Sequence, residues 1–527
     1  NTAVGYNSQA ANTTGTHNAS LGSGTLRNST TGGSNTAIGN LALKANTTAS
    51  NNTAVGYVSL TSNTTGTNNV ALGSNSLQPN TTGNANTALG KGASASNSTG
   101  SNNTSVGFEA LVSNTTGTQN VAVGQNTADA VTTGSSNVAV GAHALGQTTT
   151  ASNNTAVGKD ALTANTTGDL NVAIGAQSFI TNTVGDRSTA VGAYSLYTQN
   201  PSSNTDMYNI AVGYNSQFAT TTGQYNTAVG ALALDANTTA SNNTAVGYQA
   251  GSSNTTGERN TAVGAQSLYT NTTGSFNAAF GRASMYFNTT GQDNVALGQD
   301  ALFANSTGSY NVAVGKSALE TNSTASNNTA VGYQAGLSNT TGHTNTSVGI
   351  KAGYGTTTGI DNTFIGPYAG IYMTTGSKNV IIGRHSGNFG GLDIRTQSNH
   401  IVLSDGDGNP RLYLTDSGDL VVPRVYNATT SNSANVQVDS VGIFRRSTSS
   451  QRYKNTITDA THGLTELLAL RPVTYKGNDD GDTIFGGLIA EEVHDAGLTE
   501  FVQYNDDNEP DALAYGNMVS LCIKAIQ

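Results

Sequence analysis

Residues that could do chemistry are scarce in this 527-residue chain and gather toward its C-terminal end. Residues 1–383 carry 12 Asp/Glu and 10 Lys/Arg, whereas residues 384–527 carry 19 and 11. Glycan hydrolysis needs two carboxylates facing each other across a cleft, and the scattered acids of the long first part form no such pair. Asp405, Asp407, Asn409 and Asp416 are spaced faintly like a calcium loop. Pro410, however, stands where such a loop needs Gly, so a plain turn is the reading. Glu491, Glu492 and His494 read as a solvated helix end, with assistance to proton transfer as the alternative. The single cysteine, Cys522, excludes an intrachain disulfide framework and a Cys-based zinc site, and reads as a small apolar core residue. No metal or cofactor is expected. A serine five residues before a lysine, Ser449 and Lys454, is noise when taken alone.

The elements that position these residues begin with a repeat. Asn1-Thr2-Ala3-Val4-Gly5 returns every 17 residues as far as Asn379-Val380-Ile381-Ile382-Gly383, in 23 copies, with one four-residue insertion between Ser188 and Asn209. A fixed period of this size marks an array of stacked units. Position 5 is Gly in all 23 copies, position 3 is Ala or Ser in 21, and position 8 is Ala, Ser or Thr throughout. An aliphatic or Phe residue occupies position 4 of every copy, an apolar rhythm that disordered chains lack.

Composition agrees with a solenoid or fibre: 63 glycines, no Trp and 10% charged residues are not globular averages. A net charge of −10 and the absence of a basic stripe speak against nucleic acid or an anionic membrane as partner. No stretch approaches the 18 apolar residues of a membrane span, and no signal peptide is visible.

Within a coil, positions 2 and 4 alternate with position 3 as a strand requires, while Gly5 and the Asn-Thr-Thr-Gly segment (Asn12 to Gly15 in the first copy) supply turns. Such a coil has room for two short strands, each pairing with its counterpart one coil along at roughly 4.8 Å, so that the array makes a narrow parallel β-roll on the order of 100 Å long. Two or three buried aliphatics per coil stabilise less than the ordering of 17 residues costs. The small residues at positions 3 and 8 are read as a surface that another backbone approaches, and an obligate homo-oligomer is predicted. Asn-Thr-Thr and Asn-Ser-Thr segments (Asn12, Asn28, Asn46, Asn63) are formally glycosylation sequons, but a ladder of Asn at the turn explains one per coil without a glycan. Position 6 (Tyr6, Tyr57, Tyr214, Tyr248, Tyr333 among others) varies as a solvent-facing site does, and the insertion around Pro201 to Tyr208 is the one local break suited to a binding loop.

The Thr2-Ala3-Val4-Gly5 pattern and its copies resemble the left-handed parallel β-roll heads of trimeric autotransporter adhesins, and Asn-Thr-Ala-Val-Gly-Tyr arrays are also similar to those of phage tail fibres. This resemblance covers residues 1–383 and implies three chains about one axis. Residues 384–448 read as a hairpin-rich connector, with strands at Ile401-Val402-Leu403, Arg411 to Leu414 and Leu420-Val421-Val422. Residues 449–527 resemble the intramolecular chaperone domain of endosialidase and other phage tail spikes and fibres. The resemblance rests on Leu470-Arg471-Pro472-Val473-Thr474-Tyr475-Lys476, on Gly487-Leu488-Ile489-Ala490-Glu491-Glu492-Val493, and on the closing Tyr515 to Gln527. In that family the domain trimerises, assists folding of the preceding β-fibre and then cuts itself off with a Ser/Lys dyad.

The dyad falls on Ser449 and Lys454. A Ser hydroxyl is a weak nucleophile, and a Lys amine kept neutral by desolvation can take its proton. Attack on the carbonyl of Thr448 would then break the chain between Thr448 and Ser449. Arg452 fits the family pattern, Ser450 stands where the family has Asp and is an alternative nucleophile, and Tyr453 stands where it has Leu. The family continues past this point into coiled-coil helices, so part of the trimer clamp is expected beyond Gln527. Met518, Leu521, Cys522 and Ala525 have the spacing of one helical stripe, and Val519, Ile523 and Ile526 that of a second.

The expected protein is thus mainly β: a homotrimeric parallel β-roll, a hairpin connector and a small α+β chaperone domain. The expected role is an extracellular, receptor-binding phage tail fibre on the virion, with a receptor on the host surface for which a glycan is a candidate. Its only expected enzymatic activity is single-turnover self-cleavage. The rival reading is a trimeric adhesin or filament on a bacterial cell surface.

Overall fold

Each pentad folds as a three-residue strand, from Thr2–Val4 in the first coil to Val380–Ile382 in the last. Every strand pairs in parallel with its counterpart one coil on, as in Thr244↔Thr261, Ala245↔Ala262 and Val246↔Val263. The result is a 26-stranded sheet running the length of a β-solenoid. The structure is a computed structural model that describes residues 1–423, 436–438, 444–446, 454–477, 482–505 and 507–527. It comprises two units, Asn1–Ala428 and Thr429–Gln527.

The second wall of the coil is not the second strand that the repeat suggested. Positions 7, 9 and 17 sit in the left-handed region, as Gln249 (φ 56°), Gly251 (φ 58°) and Arg259 (φ 56°) do in one coil. Left-handed residues break the extended conformation of a strand. They leave the coil-to-coil hydrogen bonding intact, as in Gly251 N–H to Ser267 carbonyl (2.9 Å) and Ser253 N–H to Tyr269 carbonyl (3.0 Å). Most position-9 residues are Leu, for which this conformation costs roughly 1–2 kcal/mol. Leu268 and Leu302 there are almost wholly buried, and burial of a Leu returns about 1.5–3 kcal/mol, so the turn holds.

That turn corrects the reading of the small residues. Positions 3 and 8 face inward: Ala245, Ala250, Ala262 and Ala301 are buried with Leu268 and Leu302 in one core. They are small because the two walls of a single chain meet there, not because another chain approaches. Gly5 is required by its own wall: Gly230 has φ 140°, and a Cβ on it would stand 2.4 Å from the Gly247 carbonyl oxygen of the next coil.

Near the end of the solenoid the packing changes in a compensated way. Phe364 takes position 3, and glycines take position 9 on either side, where a Cβ on Gly353 or Gly370 would lie 2.7 Å from the Phe364 ring. The rungs also run one coil past the last pentad. Val380 pairs in parallel with Ile401, and the His400 N–H donates to Asn379 Oδ1 across 21 residues (3.0 Å). The longer step holds a small hairpin, Asn388–Phe389 against Leu392–Asp393. Ile401–Ser404 then pairs antiparallel with Pro410–Leu414, and that strand with Leu420–Val421.

The second unit contains three short helices among its described residues, α1 (Leu464–Ala469), α2 (Ala490–Asp495) and α3 (Tyr515–Ile526). Val473–Tyr475 pairs with Phe485–Gly487, and Val502–Tyr504 with Pro510–Leu513. Val493, Leu498, Phe501, Val502, Met518 and Leu521 form its core. Of the two stripes on α3, Met518 and Leu521 lie on the buried one, whereas Val519, Ile523 and Ile526 are exposed. Cys522 is exposed too; one step past Leu521, it turns away from the core on which Met518 and Leu521 pack.

Candidate functional site

The dyad is seen in part: Lys454 is exposed, and Thr448, Ser449 and Ser450 lie outside the described residues. Around the family-like motifs the second unit is well cross-linked. The Tyr515 hydroxyl donates to the Leu488 carbonyl (3.1 Å) and receives the Leu488 N–H (2.6 Å). Gly487 must lack a side chain, because a Cβ would sit 2.6 Å from that hydroxyl. Glu492 is engaged by the guanidinium of Arg471, whose hydrogen bonds pull the Glu492 carboxyl below its ordinary range. His494 Nδ1 meets the Tyr504 hydroxyl at 2.8 Å. Both side chains therefore serve the local fold, and Glu491 is exposed.

The Asn ladder is twofold. At position 1, Asn243 Oδ1 accepts the Asn260 N–H of the next coil (2.9 Å), and its Nδ2 donates to the Gly257 carbonyl (2.9 Å). At position 12, Asn63 Nδ2 donates to Asn46 Oδ1 (3.1 Å) and to the Gly66 carbonyl (2.9 Å). Asn46 and Asn63 are fully buried, so the nitrogen a glycan would use is enclosed and committed there. Asn28, one position earlier in its coil, is exposed.

Asp405 makes a turn rather than a calcium loop. It accepts the N–H groups of Asp407 (3.0 Å) and Asn409 (2.9 Å) and Nε of Arg411 (2.8 Å). Partial loss of hydration opposes ionisation, but the bonds from Arg411, Asn409 and Asp407 together bring its carboxyl down to about 2. Among the described residues no group of three or more His, Cys, Asp or Glu is placed to hold a metal ion. No helix among them is long and apolar enough to cross a membrane. The insertion is a closed structure: Gly185–Asp186 pairs with Thr205–Asp206, Arg187 reaches Asp206 and the Tyr208 hydroxyl, and Tyr208 stacks on Tyr225 at 5.5 Å.

No match to this chain is found among protein-family models, curated proteins or solved structures.

Sequence reasoning missed one feature. With position 3 inward, the residues at positions 2 and 4 point out, so the strand wall carries an apolar stripe. Leu72, Leu89, Val246, Phe280, Leu297 and Ile382 are exposed along it, Leu297 to 50%. The strand alternation held the signal, but it could not say which of the two sets faced the core.

Proposed function

We propose that this chain is the shaft and chaperone region of a homotrimeric extracellular fibre, a receptor-binding tail fibre of phage type. The observation that carries the reading is the apolar stripe on the strand wall. A row of aliphatic or Phe side chains, exposed or half-buried in every coil and about 4.8 Å apart over roughly 100 Å, is complemented best by a surface of the same period. A second copy of this chain is such a surface. Contiguous exposed apolar area on this scale marks an association face. The number three, the tail-fibre assignment and the chaperone role rest on the family resemblance.

The second unit supports the same direction. It leaves Leu468, Val519, Ile523 and Ile526 exposed beside a core of six buried residues, a division suited to packing against further copies.

The test is the oligomeric state of the full chain by sedimentation velocity, beside a Val246→Asp/Leu297→Asp variant. A trimeric parent is expected, with the variant falling to monomer or aggregate, because burying an unpaired carboxylate in an apolar seam costs several kcal/mol or forces its protonation. A stably folded monomeric parent would overturn the reading.

A further inference from the structure

At the C-terminal end of the solenoid the surface opens into two adjoining cavities of about 600 and 360 Å³, which share Ile371 and Tyr372 as their common wall. We propose that this double cleft is a binding site for a neutral oligosaccharide of at least two sugar units. The proposal goes beyond the fibre reading and does not depend on the number of chains.

The larger lobe sets Tyr354 and the exposed ring of Tyr372 beside Asp393, Arg395 and Gln397. The smaller sets Tyr368 and Phe389 beside Arg384 and Asp407. A pyranose offers an apolar C–H face and a rim of hydroxyls that donate and accept. Aromatic walls meet the first, and carboxylate, guanidinium and amide groups meet the second.

The charges argue for a neutral ligand. Each lobe holds one acid and one arginine. Arg395 is already paired with Asp393 through Nε (3.0 Å) and Nη2 (2.8 Å), and Arg384 lies over the Tyr368 ring at 5.2 Å with Nη1 on the Gly406 carbonyl at 3.3 Å. Arg395 is thus neutralised by its partner, the charge of Arg384 is balanced by Asp407 in the same lobe, and neither lobe carries a net charge for an anion to meet; the exposed Asp393, Arg395 and Asp407 still present polar atoms to a ligand.

The backbone under the site is tied by hydrogen bonds between successive turns. Tyr372 N–H donates to the Ser386 carbonyl (2.9 Å), Gly355 N–H to the Ile371 carbonyl (3.0 Å) and Thr374 N–H to the Arg395 carbonyl (2.9 Å). The lining departs from the repeat where the cleft lies: the 21-residue step between rungs brings the hairpin carrying Phe389 and Asp393 alongside the last coils. Tyr368, Tyr354 and Tyr372 occupy positions 7, 10 and 11, on the wall opposite the strand. The cleft therefore stays open when the apolar stripe is covered.

The experiment uses the full chain on an array of immobilised neutral and anionic oligosaccharides of two to six units, with any hit measured by titration calorimetry. Binding of at least one neutral oligosaccharide is expected. Tyr372→Ala should weaken it by at least about tenfold, while Tyr372→Phe, which keeps the ring, and Tyr248→Ala, an exposed tyrosine elsewhere on the shaft, should leave it unchanged. Unaltered urea midpoints of the variants separate loss of binding from loss of fold. Failure to hold any neutral oligosaccharide at millimolar concentration, a response to anionic glycans only, or full retention by Tyr372→Ala would overturn the assignment. Capture of a peptide without any glycan would do so too.

Discussion

At the scale of single residues the two Asn ladders look alike and do different work. Asn243 at position 1 satisfies a backbone N–H of the next coil, whereas Asn254 at position 12 bonds side-chain amides of its neighbours (2.8 and 3.1 Å) and the Gly257 carbonyl (2.9 Å). That carbonyl receives both side chains, so it keeps a donor when either is lost. Asn243→Ala therefore orphans the buried Asn260 N–H and should cost about 1–3 kcal/mol. Asn254→Ala leaves no backbone donor unpaired and should cost about 1 kcal/mol or less. Urea midpoints of the two variants decide the matter, and equal losses would show that the position-1 contact is not special. The ladder at position 12 was legible from the Asn-Thr-Thr sequons. The one at position 1 was not, because the Asn that opens Asn243-Thr244-Ala245 lies outside them, and its grip on the next backbone depends on how coils are offset along the axis.

At the scale of the coil, stability comes from fitting one wall to the other. Phe364 fills space that Gly353 and Gly370 leave empty, and its ring is fully buried. Phe364→Ala should destabilise the end of the shaft by roughly 3–5 kcal/mol, since the flanking glycines cannot close the cavity. Thermal unfolding followed by calorimetry should show that loss, and hydrogen exchange should place it in the coils around residue 364. A variant as stable as the parent would mean the coils collapse onto the gap. The strand over positions 2–4 was readable from alternation and Gly5. The absence of a second strand was not, because a left-handed Leu reads in sequence like an extended one; only its near-complete burial on the opposite wall explains why the strain is tolerated.

At the scale of the whole molecule, parallel in-register pairing of long identical repeats is slow and prone to slips of register. A terminal unit that aligned chains first would suppress such errors, and its removal afterwards would leave the fibre kinetically trapped. Freshly expressed parent is expected to yield two fragments meeting at Thr448/Ser449 by intact mass, with Ser449→Ala and Lys454→Ala remaining whole. Three intact trimeric proteins would make the unit a permanent cap. The period, the strand, the glycine corner and the Asn ladder at the turn can all be read from the chain's residues, because each is a local demand repeated until chance is excluded. The sequence also shows that the chain changes class beyond the repeats. Which face of the strand is inside became visible only once the coil was closed. In a coil this narrow, the Ala of the strand and the Leu of the opposite wall fill the gap between them, and the aliphatics at position 4 are left outside. The cleft of Tyr354 and Tyr372 belongs to the same category, since its lining converges from coils and a hairpin that are neighbours only after the chain has wound past them.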